Sequence, residues 1–513
     1  MPARIALLGN GQALDTGAVP RLPQEEFQQV LADAVTAGAR VSAYYGQSLP
    51  GTPQAVLVTA VLANDAQGRL GVLATVAGDS LPSLAEECPS LQLFERELAE
   101  QFGVVPRGHP WPKPVRFEHP LGGRAARAPA SSEDRPAPRA TIPGDTPFFQ
   151  VAGEEVHEVA VGPVHAGIIE PGHFRFQCHG EHVFHLEISL GYQHRAIERM
   201  LLGGPGRRTA QLVETIAGDT AVGHGVAAAR AQEGLAGIEA PPRGAALRAV
   251  ALELERLANH VGDLGALAGD VSYLPTASFC GALRADYLNA LAELCGNRFG
   301  RGLVVPGGVR ADLPADAAAR LADRLSATLE KVEEAAGLFF RSPSVRNRTD
   351  GTGILGPETA VLVGMVGPAA RASGLAVDVR RSHPFAPYGP SPFPVVTAST
   401  GDVFARASVR LEEARASARL VDGWLRALPP GPVRAALPAL ARDRLVVSLV
   451  EGWRGELCHA VTTGGDGRFV RYKVVDASFH DWMGLQLALR GEQISDFPLC
   501  NKSFNLSYCG HDL

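Results

Sequence analysis

Four histidines, His165, His173, His194 and His224, are suited to carrying protons, because imidazole titrates near neutral pH. The plainer reading of all four is as structural histidines, satisfied in a core or at a subunit contact. Arg195 and Glu198 stand three apart, a spacing that brings two charges together on a helix. Such a pair is either part of a proton path into a buried cavity or a salt bridge. Glu253, Glu255, Arg256 and His260 crowd another stretch. Helical charge clusters usually face water, but these flank an apolar stripe on both sides, which leaves burial or an interface open.

Other chemistries are poorly served. The seven cysteines are dispersed and no two form a C-x-x-C pair, the pattern of reduced thiols that act as small buried hydrophobes. Gly9-Asn10-Gly11 follows a strand-like run but lacks the third glycine and the later acidic residue of a dinucleotide loop. Pro306-Gly307-Gly308 is a turn with no lysine or hydroxyl to hold a phosphate. With 48 basic against 54 acidic side chains, the chain has no basic excess for nucleic acid. The apolar run Ile5–Leu8 is too short for a signal peptide, and no stretch of about 18 apolar residues predicts a membrane span.

The elements that must position these residues predict an α+β protein. Residues 1–121 form a small α/β domain, 122–146 a flexible linker rich in Pro, Ala and Arg, and 147–513 a mainly helical-bundle domain with flanking β-rich segments. In the first unit a helix near Gln24–Ala37 precedes two strands, Ala55–Leu62 and Leu70–Ala77, joined by a hairpin turn from Asn64 to Arg69. A charged amphipathic helix from Leu93 follows and ends at Gly103. In the large unit Leu247, Val250, Leu254, Leu257, Val261 and Leu264 recur at the spacing of a long packed helix. Leu321 to Phe339 and Phe404 to Leu425 repeat the pattern, and β-rich pieces lie near Glu155–Leu190 and Leu445–Ala477.

Several of these segments, in order, resemble one family. Phe94-Glu95-Arg96-Glu97 through Phe102-Gly103-Val104 resembles the W-x-E-R-E-x-x-D-x-x-G-I signature of the complex I 30-kDa-type subunit. Gly162-Pro163-Val164-His165, then Glu170-Pro171-Gly172-His173-Phe174-Arg175, is similar to the opening of the partner 49-kDa-type or hydrogenase-large subunit. Gly191-Tyr192-Gln193-His194-Arg195-Ala196-Ile197-Glu198 resembles that family's G-Y-x-H-R-G-x-E. Further matches run through Glu253–His260, Asp378-Val379-Arg380, Gly401–Arg406, Arg454-Gly455-Glu456 and Ser503–Tyr508. The chain thus resembles a fused 30-kDa/49-kDa-type subunit of the complex I and group 4 [NiFe]-hydrogenase large-subunit family, of the formate-hydrogenlyase or hydrogenase-4 kind.

The same resemblance marks what is missing. A [NiFe] centre takes two C-x-x-C pairs, whose soft thiolates hold nickel and bridge it to iron. In this chain Ala217, Thr220, Ser507 and Gly510 stand at those four positions. Cys509 falls between the last two and Cys500 lies upstream, neither in register. Quinone-reducing members carry a histidine and a tyrosine where this chain has Ile169 and Gly218. The resemblance also implies that Arg454 and Glu456 line the cavity as a buried couple needing a partner, with Asp496 and Asp512 as candidates. Together with the four histidines, Arg195 and Glu198, these are the candidate cavity or proton-path residues.

The function implied is that of a large subunit in a membrane-associated complex coupling electron transfer to ion translocation, without a [NiFe] centre. The chain is expected to bind no metal or cofactor itself. A small [4Fe–4S] subunit, a ferredoxin-like subunit and antiporter-like membrane subunits are the implied partners, with NAD(H) or quinone entering at the level of the complex. The implied location is peripheral, on the cytoplasmic side of the cell membrane. Two alternatives stay open: a catalytic hydrogenase or NADH-quinone oxidoreductase subunit using non-standard residues, and a non-catalytic scaffold.

Overall fold

The computed structural model describes residues 4–513 apart from Pro50, His119, 122–142, Gly144, Asp145, Gly167, Ile168 and Pro392. The stretch read as a linker therefore lies almost wholly outside the described residues.

Local chemistry sets the N-terminal elements. The strands Thr52–Asn64 and Arg69–Ala77 pair in antiparallel register from Asn64 opposite Arg69, so the polar segment between them closes a hairpin as expected. Arg40–Leu49 and Ala6–Leu8 extend this sheet at its two edges, and the helix Gln24–Thr36 packs on it. The helix Gln92–Phe102 stops where Gly103 turns left-handed at φ 67° and its N–H caps the carbonyl of Ala99.

The three long apolar stripes form the helices Pro242–Asp270, Ala315–Arg341 and Val403–Arg426. A fourth, Leu274–Cys295, completes a ring in which each helix packs on two others. Its stripe is weak because large apolar side chains such as Leu274 and Phe279 also sit on its exposed side. Before the bundle, His173–His179 is the middle of a three-stranded sheet; after it, Arg444–Gly452, Gly455–Thr463 and Phe469–Val475 form an antiparallel meander.

One pairing ties the chain's ends together. Ala13–Asp15 adds to the meander beside Arg444–Gly452, so the first and last thirds of the chain share a sheet. The apolar cluster beneath it runs from Phe27, Tyr44 and Leu98 to Leu445, Val447 and Phe479 without a break.

Glu253, Glu255, Arg256 and His260 are all buried. Each polar head finds a partner at that depth, which is the condition for burying charge. Glu253 accepts from Tyr388 Oη and Ser417 Oγ at 2.6 Å each and pairs with Arg380 at 3.0 Å. Arg256 donates to the carbonyls of Glu451 and Gly452, and His260 Nε2 lies 2.9 Å from Glu413. Glu255 accepts from the N–H groups of Val222 and Gly223, the first turn of the helix Ala221–Ala236.

Candidate functional site

A cavity of about 860 Å³ opens where several segments meet, among them the stretch from Val161 to Phe174, which brings His165 and Glu170, and four that carry most of its other polar groups. The first is Gly218-Asp219, just before the helix Ala221–Ala236. The second is one face of the long central helix, carrying Asn259, Asp263, Ala266 and Asp270 at steps of one helical turn. The third is Arg454, in the tight turn between two strands of the meander. The fourth is the C-terminal stretch from Phe497 to Cys509, where Asn505 ends the helix Phe497–Phe504 in a left-handed conformation at φ 48°.

Arg454 is the best-fixed group in the wall. Its two terminal nitrogens meet the Asp219 carboxylate at 2.6 and 2.7 Å, Nε donates to Asn505 O at 2.5 Å, and the guanidinium stacks on Trp453. Burial alone would raise the pKa of Asp219, but Arg454 holds it below the usual carboxylate range. The turn carrying Arg454 packs against Gly367, where a Cβ would lie 1.9 Å from Arg454 O. Asp263 accepts from Asn505 Nδ2 at 2.6 Å and from Arg410 at 2.7 Å. Glu170 accepts the N–H of Tyr508 at 3.2 Å, and burial, with Glu170 alongside, pushes the Cys509 thiol up to about 11.

The two segments that the resemblance marks as ligand blocks face one another. Arg195 Nη2 donates to both Ile216 O and Cys509 O, at 2.9 and 3.1 Å, and so ties one block to the other. Ala217, Thr220, Ser507 and Gly510 are all buried there.

Of the four histidines, His165 alone lines the cavity, with Nε2 2.9 Å from Gly172 O. His173 accepts from Arg175 on Nε2, so its Nδ1–H donates to Gly162 O at 3.0 Å and the ring is neutral; burial lowers its pKa. His194 meets Asp512 O through Nδ1 at 2.8 Å, and burial lowers its pKa as well. His224 is fully buried behind the cavity wall, against Asp476 and His459.

Two expectations are corrected. Arg195 and Glu198 are not a helical pair, because Ala196 is left-handed at φ 58° and the helix begins only at Ile197. Arg195 spends its donors on backbone carbonyls, whereas Glu198 faces Arg471 at 2.8 Å and Lys473 at 3.1 Å. Burial opposes ionisation of Glu198, but Lys473 and Arg471 hold it well below the usual carboxylate range.

Arg454 and Glu456 are not a couple either. Arg454 sits in the turn, while Glu456 is already inside the strand Gly455–Thr463 and meets Arg40 of the N-terminal unit at 2.8 Å. Neither aspartate serves Arg454: Asp496 faces Arg348 at 3.5 Å, and Asp512 accepts the N–H groups of Gly191 and Gln193.

The sequence reading missed Asp219, Asp263, Asp270 and Glu170. The helical spacing of Asn259, Asp263 and Asp270 was an available signal, since polar residues one and two turns apart on an otherwise apolar helix mark a wet face. Asp219 carried no such signal.

Comparison with known proteins agrees with the motifs. The family profile described as "Respiratory-chain NADH dehydrogenase, 30 Kd subunit" matches residues 25–125, and "Respiratory-chain NADH dehydrogenase, 49 Kd subunit" matches 270–444. Formate hydrogenlyase subunit 5 of Escherichia coli is 30% identical, over 83% of this chain and 76% of the relative. Carbon monoxide-induced hydrogenase of Rhodospirillum rubrum is 32% identical, over 68% of this chain and 97% of the relative. NADH-quinone oxidoreductase subunit 4 of Thermus thermophilus is 30% identical, over 67% and 90%. The chain belongs to this family of complex I-type and hydrogenase large subunits, with the 30-kDa and 49-kDa parts fused. A chain of the membrane-bound sulfane sulfur reductase, an archaeal respiratory membrane complex, shares the fold, with a TM-score of 0.66 and 23% identity over 70% of this chain and 99% of that one.

Proposed function

We propose that the chain is the large subunit of a peripheral, complex-I-like arm on the cytoplasmic side of the membrane, and that its cavity reduces or senses an electron acceptor without nickel. One observation supports this reading most directly. The segments that resemblance marks as the metal-ligand blocks meet around an Arg454–Asp219 ion pair, with no thiolate pair in register. Among the described residues, no three His, Cys, Asp or Glu side chains converge as metal ligands. A nickel–thiolate centre does not fit a methyl, two hydroxyls and a glycine, and no step is routed through one.

In this reading electrons come from a [4Fe–4S] cluster in a small partner subunit, supplied through a ferredoxin-like subunit, with NAD(H) or quinone acting elsewhere in the complex. Arg454, oriented by Asp219 and Asn505 O, presents a fixed cation to the acceptor. Glu170, Asp263, Asp270 and His165 line the same space and are the groups available to exchange protons there. Among the described residues no helix is long and apolar enough to cross a membrane, so ion translocation would fall to antiporter-like partner subunits.

The test is to purify the complex through a tag on this chain and measure its metals and subunits. Iron in several-fold excess over the chain, nickel far below one per chain, and co-purifying iron–sulfur and antiporter-like subunits are the expected result. Stoichiometric nickel would overturn the reading, and a chain that purifies alone would support the scaffold alternative.

A further inference from the structure

Position 510 is closed from behind by a carboxylate. Gly510 is buried in the terminal helix Tyr508–Asp512 and its backbone is not left-handed, so conformation alone does not demand glycine there. Space does. A Cβ at this position would lie 2.7 Å from Asp476 Cγ and 2.9 Å from each carboxylate oxygen. Non-bonded carbon atoms do not approach that closely.

Asp476 is not free to step aside. Its Oδ1 accepts the N–H of Ser478 at 2.8 Å and caps the helix Ala477–Ala488, while Oδ2 lies 3.1 Å from His224 Nε2. His224 Nδ1 is 3.0 Å from His459 Nε2, and His459 Nδ1 is 2.9 Å from Tyr472 Oη. The four side chains are almost wholly removed from solvent. One set of proton positions satisfies the chain throughout: Tyr472 donates to His459, His459 to His224, and His224 to an ionised Asp476. Ser478 Oγ also accepts the N–H of Ser507, so the carboxylate and the C-terminal turn share one network.

We infer that Asp476, anchored through His224 to His459 and Tyr472, occupies the space that any side chain at position 510 would need, and so closes that position to a ligating side chain. The equivalence of position 510 with a ligand site rests on the function proposed above; the closure rests on this chain's geometry alone. Asp476 acts on the turn by its bulk, while Ser478, whose N–H it accepts, holds the turn by accepting the N–H of Ser507.

Thermal unfolding of the full-length chain tests the closure. In a helix, replacing glycine by alanine ordinarily stabilises. Here Gly510→Ala and Gly510→Cys should each lower Tm, by about 1–3 °C. Asp476→Ser keeps an oxygen to cap the helix but shortens the side chain, and in that background Gly510→Ala should cost little or raise Tm. Asp476→Asn keeps the volume, so there the penalty should persist. An unchanged Tm for Gly510→Ala alone, or an equal loss in the Asp476→Ser background, would overturn the inference. If the serine variant does not fold, the asparagine pair still decides, because relief of the penalty by Asp476→Asn would refute a steric cause. Nickel in the wild-type complex would sink the function proposed above and leave these melting results untouched.

Discussion

The guanidinium of Arg454 grips the carboxylate of Asp219 through both terminal nitrogens, at 2.6 and 2.7 Å, in the wall of the large cavity. The residues are 235 positions apart, so the contact couples the meander to the segment that opens the helix Ala221–Ala236. A two-pronged arrangement of this kind fixes orientation as well as charge.

Arg454→Met should therefore damage function more than folding. On the function proposed above, acceptor reduction by the intact complex is expected to fall about 100-fold, the scale of removing one fixed donor from a reacting centre. The stability loss should be about 2 kcal/mol, below the range for fully buried pairs, because Asp219 stays partly open to the cavity. Arg454→Lys keeps the charge but loses the fork and should recover only part of the rate. Steady-state turnover beside denaturant unfolding of each variant separates the two effects.

Glu253 offers a test in acid. Burial raises its pKa, but Arg380 and Arg256, with hydrogen bonds from Ser417 and Tyr388, bring it down to about 2. A carboxyl whose folded pKa lies below its unfolded one stabilises fully above the unfolded value, and loses that stability as pH falls through the folded value. Glu253→Gln should thus be less stable than wild type by about 3 kcal/mol at pH 7, with the gap falling to about half near pH 3. Urea unfolding at both pH values measures it, and a gap independent of pH would show that the ionised carboxylate is not what stabilises.

Arg40 and Glu456 join the N-terminal unit to the meander across 416 positions of sequence. Glu456 is fully buried, and Arg40 holds its carboxyl below the ordinary range against the effect of burial. Arg40→Met strands that charge and should cost about 3 kcal/mol. Because the two units share an apolar cluster and a sheet, the loss should appear as one shifted transition followed by both far-UV dichroism and Trp fluorescence. Two separate transitions would mean that the units unfold independently.

What the sequence disclosed was local. The hairpin at Asn64–Arg69, the stop at Gly103 and the long apolar stripes depend on turn chemistry and helical period, which neighbouring residues determine. The motifs disclosed the family through the order of blocks such as Glu253–His260. The partners of the site's charges were not legible. Arg454 with Asp219, Glu456 with Arg40 and Ala13–Asp15 beside Arg444 are long-range pairings, set by how the sheets stack rather than by spacing. The Arg195–Glu198 reading failed for a local reason, a left-handed Ala196 that no propensity rule would place there.

Cys509 lies in the cavity wall with little exposure, between Ser507 and Glu170, and burial pushes its thiol up to about 11. Thiolate is the nucleophile, so at pH 8 only about one thiol in a thousand is reactive, against roughly a quarter for an unperturbed cysteine. Iodoacetamide at pH 8 should therefore label Cys509 at least about 100-fold more slowly in the folded chain than in urea, as followed by peptide mass spectrometry. Removing the neighbouring negative charge with Glu170→Gln should speed the native reaction several-fold, because a nearby anion disfavours thiolate. Since Glu170 also accepts the N–H of Tyr508, the same variant should leave Tm within a few degrees if the turn is held mainly by Ser507 and Arg195. Fast native labelling of wild-type Cys509 would show instead a thiol kept ionised, and would make it a candidate nucleophile of the cavity.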